Sequence, residues 1–326
     1  MTPTGTINGT RVSEEARSTR NLAQPLWLAL VRLARPKQWA KGVFVLIGPL
    51  YALTDPTHPA IGWWSVVLAV LAFGFASSSC YVINDLRDRE ADRAHPRKQH
   101  RPIASGRVGT GLAVVFSSVL LAAALASGVG VSWTGAGSGP AWGLLAVVAV
   151  YVLNTNLYSI RVKHMVILDV ISLASGFVLR VIGGCMAAGV QPSTWLLNCS
   201  FFVSMFLAFG KRLGERRTLG EEVAATRGVQ RAYTDQLLRM AVVVTAVASL
   251  VTYAGYVQAK PEDGELFNYL WVTMLPATYG LLRCIVLLER GRYDDPTELA
   301  AHDRGFQAAV VVFALVTAAV MAARAS

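Results

Sequence analysis

The sequence predicts an all-α polytopic membrane protein of nine transmembrane helices, and three observations carry that prediction. Of 326 residues, 54% are hydrophobic and 15% charged, with a mean hydropathy of +0.45. That is too apolar for an ordinary soluble domain. Stretches near the roughly 20 apolar residues needed to cross a hydrocarbon core of about 30 Å recur along the chain. The Arg and Lys residues are also one-sided, since 25 of the 30 fall before residue 42 or in alternate segments between spans.

Residues 1–24 are polar, lack an apolar h-region and read as a disordered cytoplasmic tail ahead of one membrane domain, 25–326. The stretch LWLALVRLARPKQWAK, 26–41, mixes Leu, Trp and Val with Arg32, Arg35, Lys37 and Lys41, the pattern of an interfacial helix. The predicted spans are 39–54, 63–83, 109–128, 141–157, 166–187, 194–210, 236–257, 267–288 and 306–323. The first and fourth are short or interrupted by Gly and Pro. Basic loops face the cytoplasm, so the N-terminus lies inside, the C-terminus outside, and the chemistry on the cytoplasmic side of a plasma-type membrane.

More than half of the net charge of +10 is attributable to topology and anionic-lipid contact, so it is no sign of nucleic acid, and the basic residues beside the carboxylates need their own account. Cys80, Cys185, Cys199 and Cys284 fall in apolar spans without metal-ligand spacing and read as packing residues.

The second span runs into NDLRDREAD, 84–92. On a helix at 100° per residue, Asn84, Asp88 and Asp92 share a face and Asp85 lies within about 100° of them. Like charges so placed repel, more strongly at a membrane edge where screening is weak. Arg87, Arg89 and Arg93 mostly face elsewhere, which favours a hard divalent cation, and Mg²⁺ suits an all-oxygen site shared with phosphate. The following residues supply His95, Arg97, Lys98, Arg101 and Arg107, a set suited to phosphate. A solvated, mixed-charge helix end is the alternative.

N-D-x-x-D-x-x-x-D after a second span, HPRK at 95–98 and RPIASG at 101–106 resemble the UbiA superfamily of intramembrane prenyltransferases. RPKQWAK at 35–41, NLYSIRVKHMVILD at 156–169, SGFVLRVIGG at 175–184 and FGKRLGERR at 209–217 resemble its actinobacterial branch that transfers phosphoribose to decaprenyl phosphate in cell-wall synthesis. Two positions depart. Lys211, Arg212 and Glu215 stand where most of the superfamily has a second DxxxD, as expected of that branch, and Gly42 stands where the branch would have Asn.

The resemblance implies a UbiA-type bundle, 5-phosphoribose 1-diphosphate as donor and a polyprenyl phosphate as acceptor. It implies Asp85, Asp88 and Asp92 as Mg²⁺ ligands, with Asn84 as a neutral ligand or orienting group. Asp169, entering the fifth span, is a functional acid or is paired with Lys163 or Arg180 to hold helices together. Lys163 belongs to the preceding loop. Arg180, inside the same span, binds phosphate or a structural partner. Lys211 and Arg212 face donor phosphates or anchor topology, and Lys41 has the same two readings. Tyr158 contacts substrate or sits in an aromatic belt, and His95 is a loop contact. Two other functions fit parts of the pattern: an aromatic prenyltransferase gripping a prenyl diphosphate, against which KRLGE argues, and a transporter or scaffold without Mg²⁺ dependence.

Overall fold

The computed structural model describes residues 25–52, 61–95, 98–134, 142–224, 232–259, 269–293 and 296–325. Among them every regular element is helical. In chain order these are α1 (Leu26–Ala34), α2 (Val43–Ala52), α3 (Trp63–Arg87), α4 (Arg89–Ala94), α5 (Thr110–Trp133) and α6 (Gly143–Ile160). There follow α7 (Leu168–Ala188), α8 (Thr194–Ala224), α9 (Asp235–Gln258), α10 (Met274–Glu289), α11 (Pro296–His302) and α12 (Arg304–Ala325).

Seven helical segments among the described residues are long and apolar enough to cross a membrane: α3, α5, α6, α7, α8 as far as Arg217, α9, and Tyr269–Glu289, in which a 3₁₀ turn leads into α10. The chain is a multi-pass membrane protein. Arg304–Val320 of α12 is a further apolar helical segment among the described residues. The expected first span, 39–54, divides into a 3₁₀ turn at Pro36–Gly42 and the ten-residue α2, which carries Pro49.

Two helices outrun their apolar stretches. The second predicted span extends through Arg87, and the sixth continues to Ala224, because Asn, Asp, Lys, Arg and Glu propagate a helix well enough once it is nucleated. The predicted interfacial helix is shorter than its sequence pattern. It stops at Arg35, which adopts a left-handed conformation (φ 52°, ψ 59°) before Pro36.

The chain forms two compact units, and α3 contributes to both. The first comprises residues up to Lys41 and Leu71–Ser127. Its core gathers Ala29 and Leu33 of α1, Val82 of α3, Ile103 and Val108 of the turns after α4, and Ala113 and Leu120 of α5. Three consecutive serines let helices approach and bond. Ser78 Oγ donates to the Ala34 carbonyl (2.7 Å) and accepts from Trp39 Nε1 (3.0 Å), while Ser79 and Ser117 share a hydroxyl contact of 2.9 Å. Gly74 leaves room for the Trp39 ring, which meets Phe75 edge-on at 5.1 Å.

The second unit comprises Gly42–Val70 and Gly128–Ser326. Within it α7 packs against α2, α6 and α8, α8 packs on α9, and α10 on α12. The crossing of α2 and α7 relies on glycine. A methyl group at Gly184 would overlap the Val45 carbonyl, and one at Gly48 would lie 2.6 Å from the Cys185 backbone nitrogen. The main cluster joins Val170 of α7, Phe206, Phe209 and Leu213 of α8, Leu238 and Val242 of α9, and Leu287 of α10 around Tyr233. Cys80, Cys185 and Cys284 are buried free thiols and Cys199 is partly buried, as their apolar settings predict.

Candidate active-site residues

The carboxylate cluster belongs to the first unit. Asp85 sits in the last turn of α3. The helix then breaks at Asp88 (φ −83°, ψ 4°), which precedes α4, so the motif runs from the last turn of α3 into the short α4. Helix-like bonds persist across the break, from Asp88 N to Asn84 O (2.9 Å) and from Asp92 N to Asp88 O (2.7 Å). Asn84 Nδ2 donates to Asp88 Oδ2 at 3.1 Å.

Asp85 and Asp92 are buried, at 3% and 2% exposure. Arg101 Nη1 bridges them, 3.0 Å from Asp85 Oδ1 and 2.7 Å from Asp92 Oδ2. Arg35 Nη2 adds a 2.6 Å pair to the same Asp85 oxygen, and Lys98 Nζ lies 3.9 Å from Asp92 Oδ1. Neutralisation thus comes from Arg35, fifty residues before Asp85, and from Lys98 and Arg101 in the basic segment that follows the motif. Of the adjacent arginines, Arg89 and Arg93 pair with Glu90, whose carboxyl the Arg89 bond and charge hold below its ordinary range. Arg97 lies outside the described residues.

Among the described residues no group of three or more His, Cys, Asp or Glu side chains is arranged to hold a metal. Asp85 and Asp92 alone still offer two buried oxygen donors to one point, where a guanidinium nitrogen now bridges them. Mg²⁺ is commonly held by one or two carboxylates with phosphate and water completing its shell, so this pair fits the ion.

The second constellation surrounds Asp169, which is 1% exposed in the first turn of α7. Its Oδ1 accepts from the Tyr233 hydroxyl (2.7 Å) and the Val170 backbone nitrogen (2.8 Å), and its Oδ2 pairs with Arg212 Nη2. The acid therefore pairs with neither Lys163 nor Arg180, the partners its sequence neighbourhood offered. Arg212 reaches it because α8 continues past its apolar stretch. The Arg212 guanidinium lies 5.4 Å from the centre of the Tyr233 ring. Burial, then the bond to Asp169, push the Tyr233 hydroxyl up to about 12.

Arg180 is buried in α7. Its Nη2 donates to Tyr151 Oη (2.7 Å) and its Nη1 to the Gly176 carbonyl (3.0 Å), with the guanidinium over the Tyr151 ring at 4.5 Å. Lys163 lies in the 3₁₀ turn Val162–His164, Tyr158 near the end of α6, Lys41 in the 3₁₀ turn before α2, and Lys211 exposed on α8. Sequence reasoning missed Arg35, Tyr151 and Tyr233 as partners. Arg35 carried a faint signal, an arginine closing an amphipathic helix directly before proline.

Residues 42–306 match the model of the UbiA prenyltransferase family, and the chain belongs to that family. It is 34% identical over 316 residues to a decaprenyl-phosphate phosphoribosyltransferase of Mycolicibacterium smegmatis, covering 92% of this chain and 95% of that protein. A decaprenyl-phosphate phosphoribosyltransferase of Mycobacterium tuberculosis is 33% identical over 284 residues, covering 85% and 89% of the two chains. A solved UbiA homolog from Archaeoglobus fulgidus, bound to GPP and Mg²⁺, superposes with a TM-score of 0.67 at 17% identity, covering 90% of this chain and 99% of that one. That likeness shows the fold.

Proposed function

We propose that this chain transfers 5-phosphoribose from 5-phosphoribose 1-diphosphate to a polyprenyl phosphate of decaprenyl type. The product is decaprenylphosphoryl-5-phosphoribose, for cell-wall arabinan. The observation that carries the reading is similarity along almost the whole of both chains to proteins named for that reaction. The cationic end of α8 supports it, because Arg212 is turned onto Asp169 where an aromatic prenyltransferase would place its second acidic motif.

In this reading Asp85 and Asp92 would hold Mg²⁺ against the donor diphosphate, while Asp88, expected as a third ligand, accepts from Asn84 at 3.1 Å and is not grouped with them among the described residues. Magnesium bound there would offset the negative charge that grows on the leaving oxygens. Arg35, Lys98 and Arg101 are close enough to those carboxylates to turn toward the phosphate oxygens, and Arg97 belongs to the same segment. As the bond from the anomeric carbon to diphosphate breaks, fixed cations stabilise the leaving group more than the ground state. A lipid phosphate oxygen forms the new bond to that carbon, and pyrophosphate departs. No strong base is required, since a phosphate monoester with a second pKa of about 6 is already largely dianionic at neutral pH. Lys163, Asp169, Arg212, Lys211, Arg180, Tyr158 and Lys41 are assigned to phosphate or ribose binding. The reading also takes nine spans, with a cytoplasmic N-terminus and active side and an external C-terminus.

The test is an assay of purified protein in detergent with both substrates, Mg²⁺ or EDTA, and Asp85→Asn alongside. Lipid-extractable phosphoribose that requires Mg²⁺ and is lost in the variant is expected. Prenylation of an aromatic acceptor from a prenyl diphosphate, without phosphoribosyl transfer, would overturn the donor assignment.

A further inference from the structure

We infer that Tyr233 is a positioning residue that fixes the Asp169–Arg212 pair as a rigid binding unit for a substrate phosphoryl group, an inference that rests on the function proposed above.

The local backbone is the first observation. Ile167 is one of two non-glycine residues with positive φ among the described residues (φ 70°, ψ −49°). The Leu168 nitrogen bonds to the Val166 carbonyl at 2.8 Å, which closes a γ-turn of the rare, strained kind. A β-branched residue is poorly suited to it. The turn aims the Ile167 N–H at the Tyr233 hydroxyl, 2.7 Å away, and that hydroxyl passes its own proton bond on to Asp169. Backbone strain of this kind persists where the surroundings over-determine it, and it clusters at functional sites.

The second observation is how Tyr233 is held. It is 1% exposed, and its ring meets Phe209 edge-on at 6.1 Å. Arg216, one helical turn beyond Arg212 on α8, donates to the Tyr233 carbonyl and pairs with Asp235 at 2.8 Å. The hydroxyl of the tyrosine is thus held from the start of α7, and its ring and carbonyl from α8.

The third is what remains for a ligand. Asp169 and a long contact to the Ala208 carbonyl (3.4 Å) occupy only part of the guanidinium's five N–H groups. The rest share the guanidinium plane, which the Asp169 contact and the Tyr233 ring 5.4 Å away hold together, and a pre-oriented guanidinium matches phosphoryl oxygens in a bidentate manner. Without the Tyr233 hydroxyl the Asp169 carboxylate keeps only the Val170 amide and Arg212, loses its tie to the Ile167 turn, and holds Arg212 less firmly.

Tyr233→Phe removes the hydroxyl and keeps the ring. With full-length protein in detergent, the KM for one substrate should rise about ten-fold or more while the other KM and the melting temperature hold. A rise for 5-phosphoribose 1-diphosphate assigns Arg212 to the donor, and a rise for the polyprenyl phosphate assigns it to the acceptor. Arg216→Gln, which releases the tyrosine from its other end, should move the same KM. Both KM values unchanged, or both raised together with a lower melting temperature, would overturn the inference. If the wild type gave no phosphoribosyl transfer, the proposed function would fail on its own. Binding of inorganic pyrophosphate would then decide: weaker in Tyr233→Phe supports the positioning role, and equal in both refutes it.

Discussion

Asp85 and Asp92 in the first unit and Asp169 in the second are buried to a similar degree, yet they are neutralised in different ways. Arg35, Arg101 and Lys98 share the first pair, reaching it from side chains that are 28% to 39% exposed. Asp169 has one cation, Arg212, whose side chain is 12% exposed, together with a tyrosine and a backbone amide. The first arrangement is redundant and its cations have room to move. The second is fully committed. Each lies beside one of the two strained non-glycine backbone positions among the described residues, Arg35 and Ile167. Strain at Arg35 aims a side chain, and strain at Ile167 aims an amide. A cluster that exchanges partners during a reaction suits the first design, and one that holds a fixed shape suits the second.

The strongest break in this comparison is chemical. Asp85→Asn or Asp92→Asn should lower turnover by about a thousand-fold, with EDTA giving the same loss in the unmodified protein, as read from lipid-extracted product. Removing the sole cation should cost the second cluster its fold. Arg212→Gln leaves a buried carboxylate unpaired and should destabilise the protein by about 3 kcal/mol, measured by thermal melting in detergent. Arg35→Gln is the matched case. Arg101 still faces Asp85, so a loss of about 1 kcal/mol is expected. Equal losses in these two variants would remove the distinction between a shared and a committed carboxylate.

The smallest effect concerns pH. An ordinary tyrosine titrates near 10, and Tyr233 does so at about 12. A raised folded value for a group that is neutral when protonated leaves its contribution intact below the ordinary value. That contribution is lost as pH rises through the window between the two, where the unfolded chain releases its proton first. Neither stability nor donor KM should therefore show a Tyr233 step between about pH 7 and 9.5, and a tyrosinate transition in that range that disappears in Tyr233→Phe would contradict the buried bond to Asp169.

The membrane class and the approximate extents of seven spans were legible in the sequence, because apolar length is a local property. Pairings were not. Asp169 and Arg212 were both singled out, but nothing local distinguishes Arg212 from Lys163 or Arg180 as the acid's partner, and the continuation of α8 that delivers it leaves no hydropathy mark. Tyr233 stands two residues before Asp235 and reads as a loop residue. Arg35 and Ile167 are residue types that seldom adopt positive φ, so neither backbone turn carries the glycine or asparagine that would announce it. Around NDLRDREAD the sequence offered Lys98 and Arg101 as phosphate-binding cations but not as partners of Asp85 and Asp92, and Arg35, fifty residues before Asp85, is brought there by tertiary packing.

The close crossing of α2 and α7 has a consequence for biogenesis. The described part of α2 carries Pro49, which interrupts its bonding, so its packing partner matters to how it is seated. Its seat is formed by Gly184 and Cys185, which leave the ribosome long after α2 has been made. A bulky side chain at Gly184 would collide with the Val45 carbonyl and push α2 from that seat, and the expected outcome is a topology defect of the first apolar segment, read by cysteine accessibility in nascent chains before any effect on the finished enzyme.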